Sequence, residues 1–455
     1  MIGVSAGPMA VKAAAEWGAR RYGVLPITSV CDMSCLFCSN RQNPSGVTTF
    51  QLGPRTAEEV RETLGWMEDP ERIVVGESVT RIDEGEPFTH PQLLDLLSLA
   101  REGYPRAVLQ VTTNGSRLTR EAVRGLAALS PVEVIVSLNS AVEANRRRLM
   151  GDGKPQRALS AIDFLAEAGL PFQGSLVALP HLVGWDDPAR TVSFLDERGA
   201  SLIRIFLPGY TKLAPTELRF PLSLWDDLAR LVDDLAGVST APLVLEPPRL
   251  TDLAARVEGV AKDGPAAKAG IRRGDVIRSV DGDEVISRFD AHVAATEAGP
   301  ARLVVDRPGA GELSIQLVKE PDERPGFVVH YDLDPARLHH AAELLHNGPR
   351  PATVLTSTLA GDVVRLGLVR VLEPEALQGV AVEVVENAFF GGSIMTAGLT
   401  VVSDYLRVLG RIKVTAPAPR LILVPWEPWD QDHTDLTGRS LRELKVFSGA
   451  EVELV

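Results

Sequence analysis

The chain has 455 residues, with 47 basic against 60 acidic side chains and a formal net charge of −13. At ~150 residues per domain that length predicts about three domains. A composition of 45% hydrophobic and 24% charged residues excludes bulk disorder, and the acidic excess disfavours general nucleic-acid binding. No stretch approaches the ~18 uninterrupted apolar residues of a membrane span. The opening MIGVSAGPMAVKAAAEW has no basic region ahead of its apolar part, so no signal peptide is expected and the cytoplasm is the default compartment.

From about residue 20 to 240 strand and helix patterns alternate. Tyr22–Thr28 reads as a first strand, and Pro26, which has no N–H to donate, places it at a sheet edge. Thr56-Ala57-Glu58-Glu59 is a capping box opening a helix through Met67. Residues 73–82 contain one or two extended pieces. Strands follow at Val108–Thr112, Val132–Leu138, Phe172–Leu179 and Leu202–Leu207, with helices at Phe88–Ala100, Thr119–Leu129, Pro155–Ala168, Pro188–Arg198 and near Leu222–Leu235. Such alternation implies a parallel sheet with right-handed crossovers. Six units are too few for a closed eight-stranded barrel, so an open sheet or partial (β/α)6 barrel is expected. Its chemistry belongs at the C-terminal ends of the strands.

A Pro-rich junction, Pro242 to Pro248, leads into a second block. Here Gly264-Pro-Ala-Ala-Lys-Ala-Gly270-Ile271 and Arg273-Gly-Asp-Val-Ile277 precede Val280-Asp281-Gly282-Asp283, whose Asp-Gly pair favours a hairpin turn. Ser287–Ala298 reads as a helix, and Ala301–Val305 and Leu313–Val318 as closing strands. In the third block Val380–Val385 reads as a strand and Val402–Val408 as a helix. The Phe389-Phe390-Gly391-Gly392 turn between them either lets backbone approach a ligand or is simply tight. Asp432 and His433 read as a solvated turn rather than metal ligands. His339, His340 and His346 read as helix surface, because adjacent histidines point to different faces.

The chain holds three cysteines in all, Cys31, Cys35 and Cys38, in the run Cys31-Asp-Met-Ser-Cys35-Leu-Phe-Cys38 at the end of the first strand. An odd, tightly spaced set is not a disulfide framework. Three thiolates on one loop can hold three irons of a cubane cluster and leave the fourth open, whereas ordinary 4Fe–4S carriers use four cysteines. A zinc site completed by His or Asp is the alternative. The nearest histidine in sequence is His90, and zinc sites usually pair cysteines as C-x2-C twice.

This loop, in a βα repeat and with Phe37 just before Cys38, resembles the radical S-adenosylmethionine superfamily over most of residues 20–240. Arg81-Ile-Asp-Glu84-Gly85-Glu86-Pro87 resembles its Gly-Gly-Glu-Pro motif, with Glu84 in place of the first glycine. Thr112-Thr113-Asn114-Gly115 and Ser137-Leu138-Asn139-Ser140 occupy the next two strand ends. The resemblance implies a 4Fe–4S cluster on Cys31, Cys35 and Cys38. It implies S-adenosylmethionine contacts from Gly85, Glu86, Thr113, Asn114, Ser137 and Asn139, with an external one-electron reductant of flavodoxin or ferredoxin type. Reductive cleavage would give methionine and a 5′-deoxyadenosyl radical that abstracts hydrogen from an unidentified peptide, cofactor precursor or metabolite; no catalytic residue beyond the cofactor contacts is indicated.

The run GPAAKAGIRRGDVIRSVDGDEV resembles a bacterial PDZ domain, a module that adds a peptide to a sheet edge. Before Val257, however, the chain reads Arg249-Leu-Thr-Asp-Leu-Ala-Ala255 instead of a Gly-rich carboxylate loop. The order of modules resembles uncharacterised bacterial iron–sulfur oxidoreductase-like proteins. The expected organisation is a radical SAM core at 1–243, a β-rich PDZ-like domain at 244–322 and a C-terminal α+β domain of unknown function at 323–455. Two other readings stand beside a radical enzyme: a cluster- or adenosylmethionine-binding sensor without turnover, and a zinc-stabilised PDZ scaffold.

Overall fold

The computed structural model describes residues 8–78, 81–221, 223–321 and 323–455. The first residues of the N-terminal reading, Val79 and Thr80 of the extended stretch, and Leu222 at the start of a helix lie outside them. The chain divides into two compact units, Met1–Ser239 and Thr240–Val455.

In the first unit five parallel strands lie side by side in chain order: β1 (Arg72–Val75), β2 (Val108–Thr113), β3 (Val132–Ser137), β4 (Phe172–Val177) and β5 (Ile203–Phe206). Helices Leu93–Gly103, Arg120–Ala128, Gln156–Ala168, Asp186–Asp196 and Ser223–Ala236 follow them. The two faces differ, because side chains alternate along a strand. In β2, Leu109 and Val111 are buried while Gln110 and Thr112 are half-exposed. The second face carries a polar layer: Arg72 reaches Gln110 and Glu133, Gln173 donates to Glu133, and Gln110 and Thr112 donate to Glu77.

The expected first strand is shorter than its sequence suggests. It amounts to a bridge at Val24, flanked by Leu25 N–H to Val74 O and Val74 N–H to Gly23 O, both at 2.8 Å. Pro26 ends the ladder there, since it has no donor. The capping box forms as expected: Thr56 accepts from the Glu59 amide and the Glu59 carboxylate accepts from that of Thr56. Its helix stops at Leu64, with Gly65 as the cap, rather than running to Met67.

In the second unit Leu243–Glu246 is a strand within the Pro-rich stretch. Strands Val276–Val280 and Asp283–Glu284 flank Asp281 and Gly282, whose φ angles of 51° and 100° make the Asp-Gly hairpin. Ala301–Arg307 pairs along its whole length with Gly311–Leu317, and helix Arg288–Glu297 packs over a core that includes Val257, Ile277, Leu303 and Leu317. Beyond it lies an all-parallel sheet of Ala352–Ser357, Val380–Val385, Leu421–Val424 and Glu451–Leu454, in the spatial order second, first, third, fourth. A cavity of about 150 Å³ opens where the first and third of these strands end, beside Leu355, Thr356, Pro425 and Glu427. Helix Val402–Thr415 continues past Val408 and ends just before Pro417. His339, His340 and His346 are exposed on helix Pro335–Asn347, as the sequence predicts. His433 occupies a turn with φ of 53°. No helix among the described residues is long and apolar enough to cross a membrane.

Candidate active site at the strand ends

The cysteine loop is held from two sides. The Ser34 and Leu36 amides donate to the Met150 and Leu149 carbonyls, both at 2.8 Å, at the end of helix Glu143–Met150. Gly151 terminates that helix with φ of 67°, and a Cβ there would lie 2.4 Å from Ser34 Oγ, so glycine is required for both conformation and contact. On the other side Asp32, between the first two cysteines, accepts from Asn114 Nδ2 at 3.0 Å, Ser116 Oγ at 2.9 Å and Arg117 Nε at 2.8 Å. Burial alone would raise the Asp32 carboxyl, but these three donors hold it below the usual carboxylate range.

Glu86 is 3% exposed. The Thr113 hydroxyl donates to its Oε1 and the Asn114 amide to its Oε2, both at 2.6 Å, and the Phe88 amide donates to Oε1 at 3.2 Å. Burial pushes its carboxyl up to about 7, against the pull of the Asn114 and Thr113 donors. Gly85 lies against the cysteine loop: its amide donates to Thr28 O and that of Glu86 to Val30 O, and a Cβ at Gly85 would sit 2.2 Å from the Val30 carbonyl oxygen. No other residue fits at 85. At Glu84, where the resemblance has a glycine, burial pushes the carboxyl well above its ordinary value.

The residues expected at the site are therefore brought together unevenly. Thr113, Asn114, Gly85 and Glu86 form one hydrogen-bonded knot joined to the cysteine loop through Asp32. Ser137 is half-buried and accepts from Ser175 Oγ at 3.2 Å. Asn139, with φ of 61°, spends its side chain on Ser137 O, Met150 Sδ and the Val177 amide. Sequence reasoning missed Asp32, and it missed Arg146. The Arg146 guanidinium is fully buried, pairs with Asp152 at 2.7 Å, and donates to the backbone carbonyls of Leu138 and Asn114, tying the ends of β2 and β3 together. No local pattern marks it, because its backbone partners are 8 and 32 residues away.

Burial, and then the neighbouring Cys31 and Cys38 sulfurs, push the Cys35 thiol up to about 12, and burial also raises Cys31. Negative charge at Cys31 and Cys35 is thus unfavourable without a metal centre. Among the described residues no three His, Cys, Asp or Glu side chains converge on a single-ion position. A cubane, in which each thiolate takes its own iron, does not require such convergence. The donor set fits that group.

Residues 25–195 match the Radical SAM superfamily and residues 256–307 the PDZ domain. The first unit carries a radical SAM domain. Similar solved structures include SuiB of Streptococcus suis bound to S-adenosylmethionine, at 17% identity over 49% of each chain with a TM-score of 0.39. Another is anSMEcpe bound to AdoMet, at 13% identity over 48% of this chain and 62% of that one, with a TM-score of 0.35. A third is a radical SAM methyltransferase from Sphaerobacter thermophilus, at 15% identity over 49% of this chain and 65% of that one, also with a TM-score of 0.35. The chain spans about half the length of the SuiB structures.

Proposed function

We propose that this chain is a radical SAM enzyme in which Cys31, Cys35 and Cys38 hold a 4Fe–4S cluster with one open iron, and the adjoining strand ends hold S-adenosylmethionine. One observation carries the reading: the only three cysteines sit on a loop fastened through Asp32 to the Thr113–Arg117 turn, and that turn also holds Glu86. When bound, the cluster and cofactor would supply the difficult chemistry, a one-electron reductive cleavage of S-adenosylmethionine that leads to removal of hydrogen from an unactivated carbon.

The protein's own residues bind and orient. Glu86 presents a buried carboxylate to an ammonium group, a charge-assisted pairing whose strength depends on exclusion of water. The backbone of Glu84 and Gly85 lies against the cysteine loop and offers carbonyls to the same group. Asn114, Ser137 and Asn139 line the neighbouring strand ends. The polar layer of Arg72, Glu77, Gln110, Glu133 and Gln173 on the second face of the sheet faces substrate. Its hydrogen-bonding groups favour a polar peptide, cofactor precursor or metabolite over a hydrocarbon. An external flavodoxin- or ferredoxin-type protein delivers the electron.

The test is anaerobic reconstitution followed by incubation with S-adenosylmethionine and dithionite. The proposal expects 5′-deoxyadenosine and methionine to be released together. A protein that binds S-adenosylmethionine at its cluster yet never releases 5′-deoxyadenosine is a sensor, and one that takes up zinc in place of iron is a scaffold.

A further inference from the structure

The all-parallel C-terminal sheet reverses its strand order between its first and third strands, Ala352–Ser357 and Leu421–Val424. From the first strand the chain moves toward one edge, and from the second it crosses back to the far side of the first. Right-handed crossovers in opposite directions send their helices to opposite faces. The apolar cores agree: helices Pro335–Asn347 and Gly361–Val371 pack with Val354 and Leu423, and helix Val402–Thr415 packs with Leu355 and Ile422. The loops after the first and third strands therefore diverge, and a crevice opens at their C-terminal ends. In open parallel sheets that switch point is where ligands bind.

The cavity of about 150 Å³ lies there. Leu338, Ala341, Val354, Leu355, Val364 and Leu368 give it aliphatic walls, and Arg337 and Glu427 also line it. Arg337 Nη1 donates to Glu427 Oε1 and its Nη2 to Val455 O, both at 2.6 Å, and the guanidinium lies 5.3 Å from the centre of the Trp426 ring. The pair is thus held in place by the chain itself. Its hydrogen bonding is incomplete, because Arg337 Nε and Glu427 Oε2 are buried and meet no partner among the described residues. Buried polar atoms of this kind cost free energy until something satisfies them. The other two carboxylates at the cavity are engaged. Asp332 accepts from the Arg288 and Phe289 amides and pairs with the Arg288 guanidinium, and Asp334 accepts from the Ala336 amide.

The unmet atoms are one donor and one acceptor. A carboxylate would satisfy Arg337 Nε but set a like charge against Glu427 Oε2. An ammonium group would satisfy Glu427 but face the guanidinium. A carboxamide carries both complements and no charge. An engineered apolar cavity of roughly 150 Å³ takes up benzene, so the space suits a molecule of about that size.

We propose that the switch-point cavity of the C-terminal sheet binds a small branched aliphatic molecule with a neutral carboxamide head. Its hydrocarbon part lies against the aliphatic walls, its N–H donates to Glu427 Oε2 and its carbonyl accepts from Arg337 Nε. This site is independent of the radical SAM reading.

The experiment uses the full chain, labelled at its Ile, Leu and Val methyl groups for nuclear magnetic resonance, with isovaleramide as the probe. The methyls of Val354, Leu355, Val364 and Leu368 should shift saturably, with a Kd of about 1 mM or tighter. Isovalerate and isopentylamine, which keep the skeleton and charge the head, should bind at least about tenfold more weakly. No saturable shift up to about 20 mM isovaleramide, shifts confined to methyls away from the cavity, or equal binding of either charged probe would overturn the proposal. These readings need no variant. Glu427→Ala, with an otherwise native methyl spectrum, should lose the preference for isovaleramide over isovalerate; a preference kept in full would contradict the role given to Glu427.

Discussion

Two sets of strand ends in this molecule carry buried carboxylates, and they use them differently. Beyond the C-terminal sheet's strands, Asp404 in the first turn of helix Val402–Thr415 and Asp435 in a turn are fully buried, and their acceptor sites serve the chain itself. Asp404 takes the Ala388 and Phe389 amides and Arg407; Asp435 takes the Val402, Thr437 and Arg439 amides. They shape loops, including the one whose glycines, Gly391 and Gly392, both adopt φ of 66°. At the radical SAM strand ends Glu86 is also buried and takes the Thr113 hydroxyl and the Asn114 and Phe88 amides, but burial outweighs these donors and pushes its carboxyl up to about 7. The adjoining loop carries three cysteines, and burial raises the thiols of Cys31 and Cys35. A buried acid that only ties loops together is structural; one raised in pKa beside a cluster of thiols is available to a ligand.

The largest effect expected belongs to the thiols. Cys31→Ala, Cys35→Ala or Cys38→Ala should each abolish the cluster and S-adenosylmethionine cleavage, because no reserve cysteine exists; full iron content in any of the three would break the ligand assignment. Next comes Arg146→Ala, which strands a buried Asp152 and should lower stability by about 3–5 kcal/mol in urea denaturation.

Glu86→Gln should keep the cluster but weaken S-adenosylmethionine binding by roughly 1.5–3 kcal/mol in titration calorimetry. The pH dependence follows from the same carboxyl. With its pKa near 7 in the free protein, Glu86 must lose a proton to meet an ammonium group. Wild-type affinity should then fall as pH drops below about 7, approaching tenfold per unit. The Gln variant should show no such slope. The smallest effect sharpens the contrast from the other side. Asp404→Ala should cost about 1–3 kcal/mol of stability while leaving S-adenosylmethionine affinity unchanged; lost affinity would mean that the C-terminal carboxylates are not merely structural.

Much of this was legible before the structure. The thiol cluster stands out because every cysteine of the chain lies within eight residues. Glu86, Thr113 and Asn114 were reached through their order along successive strand ends. The Asp281-Gly282 hairpin and the Thr56 capping box depend on local chemistry and formed as expected. Long-range partnerships were not legible. Asp32 reads as a spacer between cysteines, yet its partners lie 82 to 85 residues on. Arg146 is the first of three consecutive arginines in a stretch to which the sequence reading assigns no element, and only folding selects it for burial. The sequence reading places Pro325–Val329 in the C-terminal block, whereas its backbone pairs with Glu258–Ala261, more than 60 residues earlier. The first strand was overextended because its apolar run outweighed the missing donor of Pro26.

The central claim is an iron left open by a three-cysteine loop. The most direct measurement is electron paramagnetic resonance of the reduced, reconstituted protein, with and without S-adenosylmethionine. The account predicts a reduced 4Fe–4S signal whose g-values shift on addition of S-adenosylmethionine, with a smaller shift in Glu86→Gln at the same concentration. A four-iron signal indifferent to saturating S-adenosylmethionine, or a protein carrying one zinc and no iron, would contradict it.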